Sequence, residues 1–195
     1  MKYLWYNFYK AIPTETIDNI VENCLQEKLS KAAIGTKKST NVTNGFVENL
    51  EYRNSEICFL DSEKHEPLYK HLWKYAIDAN KHAYGFNISS IENIQFSVYD
   101  SAYKGKYDWH MDTFWTEDSL FHRKISMIIQ LSNPSEYKGG QFEIEGVVPS
   151  KKDKNLMNQK GSIITIPSFA THRVTPVTKG RRLSLIAWVE GVKFR

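Results

Sequence analysis

Long apolar runs are missing from this 195-residue chain, and none approaches the length of a membrane-spanning helix. A membrane partner is therefore not expected. Cysteine is scarce. Cys24 and Cys58 are the only two, and neither stands in a CxxC pair or beside a histidine cluster. That argues against a disulfide framework and for a reducing compartment, with both thiols serving as small buried apolar residues. The opening, MKYLWYNFYKAIPTET, lacks the long apolar stretch of a secretory leader, so a cytoplasmic location is the expectation. A strong charge of one sign is also absent. Lys and Arg total 26 against 22 Asp and Glu, a net of +4. The basic residues are scattered apart from pairs such as Lys151-Lys152 and Arg181-Arg182, which suits a solvated surface rather than a nucleic-acid groove. Repeats, low-complexity tracts and linkers are lacking too. One domain spanning 1–195 is expected, long enough to bury a sizeable core.

Aromatic residues are plentiful at 13%, which favours strands with large side chains in a core or pocket. Residues 3–9 read as an opening strand. Pro13-Thr14-Glu15-Thr16 marks a helix start, and Ile17, Ile20, Val21, Cys24 and Leu25 recur at helical spacing. Residues 35–45 carry loop residues, and 55–60 suit a strand. Residues 66–84 predict a second helix with Leu68, Leu72, Ala76 and Ala79 on one face. From residue 92 the pattern changes to short strand-like runs at 93–100, 107–112, 124–131, 140–145, 162–166, 171–176 and 182–189. Turn signals separate them, among them Ser132-Asn133-Pro134, Gly139-Gly140 and Lys179-Gly180. The prediction is a mainly β fold with flanking helices (α+β): helical support over about 1–90 and a jelly-roll core over about 91–195.

The chemistry concentrates in Tyr107-Asp108-Trp109-His110-Met111-Asp112. On a strand, positions i and i+2 share a face, so His110 and Asp112 can hold one metal. The best third ligand is His172, in Pro167-Ser168-Phe169-Ala170-Thr171-His172-Arg173-Val174. Two imidazoles and one carboxylate on one face leave three positions open, the facial triad of non-haem Fe(II) oxygenases. Ten residues beyond His172 comes Arg182, with Ser184 at strand spacing after it. A guanidinium fork matches a carboxylate in bidentate geometry, and a serine hydroxyl adds a hydrogen bond. The strand pattern points Arg181 outward and Arg182 inward. An isolated HxD or a single late histidine means little; their combination with Arg182 and Ser184 carries the reading. His65, His71, His82 and His122 lack such company and read as surface or capping residues.

The stretch from about 92 to 190 resembles the 2-oxoglutarate/Fe(II) dioxygenases, in particular the prolyl-4-hydroxylase-like branch that includes the PKHD-type hydroxylases. The resemblance runs through Gln95-Phe96-Ser97-Val98-Tyr99, Tyr107 to Asp112, Leu131-Ser132-Asn133-Pro134, Tyr137 to Phe142, and most strongly Pro167 to Arg182. It implies a double-stranded β-helix, Fe(II), 2-oxoglutarate, O₂ and often a benefit from ascorbate. It assigns His110, Asp112 and His172 to iron and Arg182 to the distal carboxylate of 2-oxoglutarate. Tyr99 falls on the strand from which the family often supplies a tyrosine to the cosubstrate pocket. Gln130 stands where some relatives have a tyrosine, and for both residues core packing is the alternative. With Asp112 present, hydroxylation is favoured over halogenation.

The substrate is less legible. A peptidyl residue such as proline is the first candidate; a free amino acid, another small molecule or a nucleobase would use the same chemistry. Trp109, Phe114 and Trp115 flank the second ligand and are candidates for stacking on substrate or for packing under a loop. Arg53 and Arg123 are candidate contacts to an acidic or peptide substrate, with a solvated surface role as the alternative. Segments 35–54 and 146–160 are loop-like lid candidates. Two other classes compete: a zinc hydrolase, in which Arg182 and Ser184 have no role, and a non-catalytic cupin-like binding module. The oligomeric state is not legible.

Overall fold

Ile94, Phe96 and Val98 alternate with Gln95, Ser97 and Tyr99, and this two-residue period gives one strand an apolar face and a polar face. The same alternation separates Ile125, Met127 and Ile129 from Ser126, Ile128 and Gln130. It also separates Leu183, Leu185 and Ala187 from Arg182, Ser184 and Ile186. In the computed structural model, which describes residues 1–35, 46–113, 115 and 120–194, these three strands lie side by side, and their two faces meet different neighbours.

In chain order the elements are β1 (Tyr6–Phe8), α1 (Thr14–Gln26), β2 (Ser30–Lys31), β3 (Ile34–Gly35), β4 (Phe46–Val47), β5 (Arg53–Asn54) and β6 (Glu56–Leu60). Then follow α2 (Glu66–Ala79), extended by a π-helical turn over Asn80–Tyr84, β7 (Ser90–Asp100), β8 (Lys106–His110) and β9 (Phe121–Gln130). Next come β10 (Tyr137–Gly139), β11 (Phe142–Ile144), α3 (Lys151–Met157), β12 (Ile163–Pro167), β13 (His172–Val174) and β14 (Val177–Val192). The major sheet runs β1-β12-β9-β14-β7-β6-β2, with β10 added against β14; a smaller sheet runs β11-β13-β8-β5. All the pairings are antiparallel. This is the expected jelly roll with helical buttresses.

The apolar face of the major sheet takes the helices. Ile17 and Cys24 of α1 and Leu72, Ala76 and Ala79 of α2 join Ile94, Phe96, Met127, Ile129 and Leu185 in one buried cluster. Tyr69 of α2 ties the layers together: its hydroxyl donates to the Leu60 carbonyl (2.9 Å) and accepts from the Ile94 N–H (3.1 Å). With one face sealed by helices, the polar face turns toward the smaller sheet, and the pocket forms there.

Two expectations change. The strand predicted for 107–112 ends at His110, so Asp112 lies in the turn beyond it. The loop predicted for 146–160 contains α3, whose first turn is capped by Ser150: its Oγ accepts the Asp153 N–H (3.1 Å). Most of the loop expected at 35–45, the first half of the 35–54 lid candidate and Phe114 lie outside the described residues. Both cysteines are free; Cys24 is buried and Cys58 half-buried. Among the described residues no helix is long and apolar enough to cross a membrane.

Candidate metal and anion site

β8 and β13 bring His110 and His172 directly opposite each other, as Cα partners across the ladder. The register then slips. Val174, two residues after His172, faces Tyr107, three residues before His110. The extra residue in β8 is a β-bulge, a feature common beside active sites because it re-aims side chains. Tyr107 and His110 both line the pocket despite their odd spacing, and their rings stack at 3.4 Å between centroids.

Each imidazole is fixed by its other nitrogen. His110 Nδ1 lies 2.7 Å from the Asp108 carbonyl oxygen and His172 Nδ1 lies 2.8 Å from that of Ala170. A carbonyl can only accept, so both Nδ1 atoms carry hydrogen, and both Nε2 atoms turn inward. There they meet the Asp112 carboxylate: His110 Nε2 to Oδ1 is 3.7 Å and His172 Nε2 to Oδ2 is 3.5 Å. One ligand atom from each residue fits within 4.8 Å of the others. Burial, then the adjacent His172, pushes His110 down to about 3, so its ring stays neutral. Burial alone would raise the Asp112 carboxyl, but the two imidazoles and the Ser126 hydroxyl outweigh it and hold the group at about 2. The two Nε2 atoms and the carboxylate converge as three atoms of the kinds that ligate metals. A divalent cation satisfies all three, and backbone-anchored Nδ1–H groups are the usual outer support of such ligands.

Arg182 lies on β14 at 1% exposure. Its Nη2 donates to Gln130 Oε1 (3.1 Å) and its Nη1 to Ser184 Oγ (3.4 Å), and the Tyr99 ring lies 5.5 Å from its Cζ. Among the described residues no carboxylate forms an ion pair with it. A buried guanidinium without a counter-ion costs several kcal/mol, and it suits a site awaiting an anion. Gln130 Nε2 is a buried donor without a partner in the same place. Gly140 adopts φ +58°, and a Cβ there would come within 3.1 Å of Arg182 Cδ, so the glycine also leaves room for the arginine stem. Arg181, as expected, points outward and pairs with Asp100 (2.9 Å). Arg182, Ser184 and Tyr99 line one narrow pocket with His110, Asp112 and His172; Ile128, Phe142, Val174 and Ile186 supply apolar wall.

A profile of the 2OG-Fe(II) oxygenase superfamily matches residues 94–190. A PKHD-type hydroxylase of Crocosphaera subtropica is 30% identical over 183 residues, 91% of this chain and 78% of that protein. The chain belongs to the 2OG-Fe(II) oxygenase superfamily. A PKHD-type hydroxylase of Gloeothece citriformis is 33% identical over 102 residues, 52% of this chain and only 44% of that protein. The crystal structure of a Pseudomonas putida prolyl-4-hydroxylase shares the fold, with a TM-score of 0.69 at 18% identity over 97% of this chain and 94% of that one. Fe(II) and 2-oxoglutarate are the cofactors this superfamily implies, and the donor set and the unpaired guanidinium fit them.

The residues chosen for substrate contact divide. Trp109 lines a groove of about 930 Å³ that also reaches His110 and Asp112, with the Arg173 guanidinium 4.4 Å from its ring. Arg53 corrects the expectation of a solvated side chain: it is buried, donates from Nε to Ser55 Oγ (3.2 Å) and lies 4.4 Å over the Tyr107 ring at the pocket wall. Arg123 also lines the groove. Its Nε and Nη2 donate to Glu92 (2.6 and 3.0 Å), and Trp188 lies beneath its guanidinium at 4.0 Å. Trp115, 56% exposed, sits against His122 and Phe194 instead of the groove. His122 is not a surface residue but buried in that aromatic cluster. His71 is half-buried against Tyr75, with Nε2 unpartnered. Trp188 and Ser126 escaped the sequence reading. Both lie on inward faces, and the alternation that singled out Arg182 extends to them.

Gln130 supplies a test of the anion end of the pocket. If 2-oxoglutarate binds at Arg182, Gln130→Leu should weaken its binding about tenfold, through loss of ~1.5 kcal/mol of hydrogen bonding from one donor and the Arg182 brace. Gln130→Glu should weaken it further by pairing with Arg182. Cosubstrate titration of both variants checks the order.

Proposed function

We propose that this chain is an Fe(II)- and 2-oxoglutarate-dependent hydroxylase acting on a peptidyl residue, with proline the first candidate. The observation that carries the reading is one pocket holding both a His-Asp-His donor set and, on its wall, a buried guanidinium without a counter-ion. His110, Asp112 and His172 would hold the iron. Arg182, Ser184 and Gln130 would hold the distal carboxylate of the keto acid, with Tyr99 beside it. The chemistry such a centre supplies is a coupled oxidation, in which one oxygen atom of O₂ leaves in succinate as CO₂ is released and the other enters a substrate C–H bond. The chain itself orients the reactants and keeps water out with Ile128, Val174 and Ile186. An intact Asp112 supports hydroxylation over halogenation.

The peptide assignment rests on the open groove, wide enough for a chain segment, and on its aromatic and cationic rim of Trp109, Trp188, Arg53 and Arg123. The rim is not the continuous basic surface that a nucleic acid would require. A cytoplasmic site of action and a benefit from ascorbate belong to the same proposal. The test is succinate release from 2-oxoglutarate with Fe(II), with and without pooled proline-containing peptides, followed by mass spectrometry for a gain of one oxygen. Peptide-dependent succinate and a matching oxygen adduct are expected. Succinate formation that no peptide stimulates, but a free amino acid does, would overturn the peptide assignment.

A further inference from the structure

We infer that Ser126 and Ser168 form a hydroxyl clamp that holds Asp112 as a one-oxygen metal donor, so that the remaining coordination positions stay open. The inference rests on the metal-centre reading above.

Ser126 interrupts the apolar run Ile125-Ser126-Met127-Ile128-Ile129 of β9 and is fully buried. A buried hydroxyl is costly unless it is bonded. Its Oγ donates to Asp112 Oδ2 at 2.6 Å, the short length of a charge-assisted bond. Ser168, also fully buried, follows β12, and its Oγ lies 3.0 Å from Ser126 Oγ. Ser126 has one proton and gives it to the carboxylate, so Ser168 must be the donor to Ser126. The order of donation is Ser168 to Ser126 to Asp112.

Ser168 also grips the backbone. Its carbonyl accepts from the N–H groups of Asp112 (2.8 Å) and Thr113 (3.1 Å), and its own N–H donates to the Lys124 carbonyl (3.0 Å). Asp112 lies beyond the end of β8, where no strand ladder holds it. These bonds take the ladder's place and fix both the chain and the carboxylate plane. With Oδ2 engaged, Oδ1 is the oxygen without a hydrogen bond among the described residues. A carboxylate that swung to bind through both oxygens would occupy an extra coordination position, which a chelating keto acid and O₂ need. The two serines are thus positioning residues that act through Asp112.

Co(II) is the probe, because its visible spectrum reports coordination number and needs no turnover. Wild type, Ser126→Ala, Ser126→Thr and Ser168→Ala are titrated calorimetrically, and their Co(II) absorption spectra are recorded. In Ser126→Ala the Co(II) affinity should fall ~10–100-fold, the usual cost of losing an outer-shell partner, with a changed absorption band. Ser126→Thr keeps the hydroxyl and should restore both. Ser168→Ala keeps the carbonyl contacts and should show a smaller loss in the same direction. Unchanged affinity and spectrum in Ser126→Ala would overturn the clamp, as would a Thr variant that loses as much as Ala. If Ser126→Ala does not fold, wild-type behaviour in Ser168→Ala overturns it. Failure of wild type to bind Co(II) would instead remove the metal-centre reading beneath it.

Discussion

Arg182→Ala should raise the 2-oxoglutarate concentration needed for half-saturation by roughly 10²–10³-fold, because truncating one partner of a buried charge pair costs about 2–5 kcal/mol. The lost interaction is a charge-assisted fork from a side chain at 1% exposure, and Arg53, the other guanidinium on the pocket wall, is held over Tyr107 and donates to Ser55. Arg182→Lys keeps the charge but cannot form two parallel bonds, so about a tenfold loss is expected from that variant. Fe(II) binding should be unaffected in both, since the contacts of Arg182 are with Gln130, Ser184 and Tyr99 and not with His110, Asp112 or His172. The measurement is an anaerobic titration of the Fe(II) protein with 2-oxoglutarate, following the visible metal-to-ligand charge-transfer band. A second consequence has the opposite sign. Among the described residues the buried guanidinium has no carboxylate partner, so Arg182→Met should melt no lower than wild type, as expected of a residue kept for binding rather than for stability. Wild-type cosubstrate affinity in Arg182→Ala would remove 2-oxoglutarate from this pocket.

His172→Ala should abolish the charge-transfer band and reduce succinate formation by ~10³-fold or more, since a bound metal contributes several kcal/mol and each 1.4 kcal/mol is a decade in rate. The remaining pair, His110 and Asp112, would offer only two ligands, both from the segment at the end of β8. The fold should survive. His172 belongs to a three-residue strand of the smaller sheet, away from the helix-covered core. Circular dichroism and melting separate loss of metal from loss of fold. A mutant that retains the band and turnover would show that another residue completes the site. Arg182→Ala and His172→Ala thus test the two ends of one pocket by independent signals, cosubstrate affinity in the first and metal retention in the second.

Much of this was legible in the linear chain, for physical reasons that are local. Strand alternation put Arg182 inside and Arg181 outside, and Arg182 proved to be buried while Arg181 pairs with Asp100 at the surface. Helical periodicity singled out Ile17, Ile20, Val21, Cys24 and Leu25, and Leu68, Leu72, Ala76 and Ala79: Ile17, Cys24, Leu72, Ala76 and Ala79 are buried against the major sheet, Ile20, Val21 and Leu68 are partly buried beside them, and Leu25, at the end of α1, is exposed. The type and spacing of His110, Asp112 and His172 indicated a candidate metal-binding set, because the ligating atoms belong to the residue types themselves.

What the linear chain left open depended on contacts between distant segments. His110 and Asp112 do come together, but not as i and i+2 on one strand face. Asp112 leaves the strand, and a bulge in β8 re-aims His110 onto the same face as Tyr107. A bulge is decided by the partner strand's register, which no single segment encodes. Arg53 looked like a surface cation until β5 paired with β8 and laid it over Tyr107. Trp115, a neighbour of the ligands in sequence, was drawn to His122 and Phe194. Ser126 and Ser168 stand 42 positions apart and have no motif in common. They meet only because β12 pairs with β9 and brings two buried hydroxyls to one carboxylate. Local chemistry is set by residue type and period, whereas convergence on a single atom is set by how the sheets close.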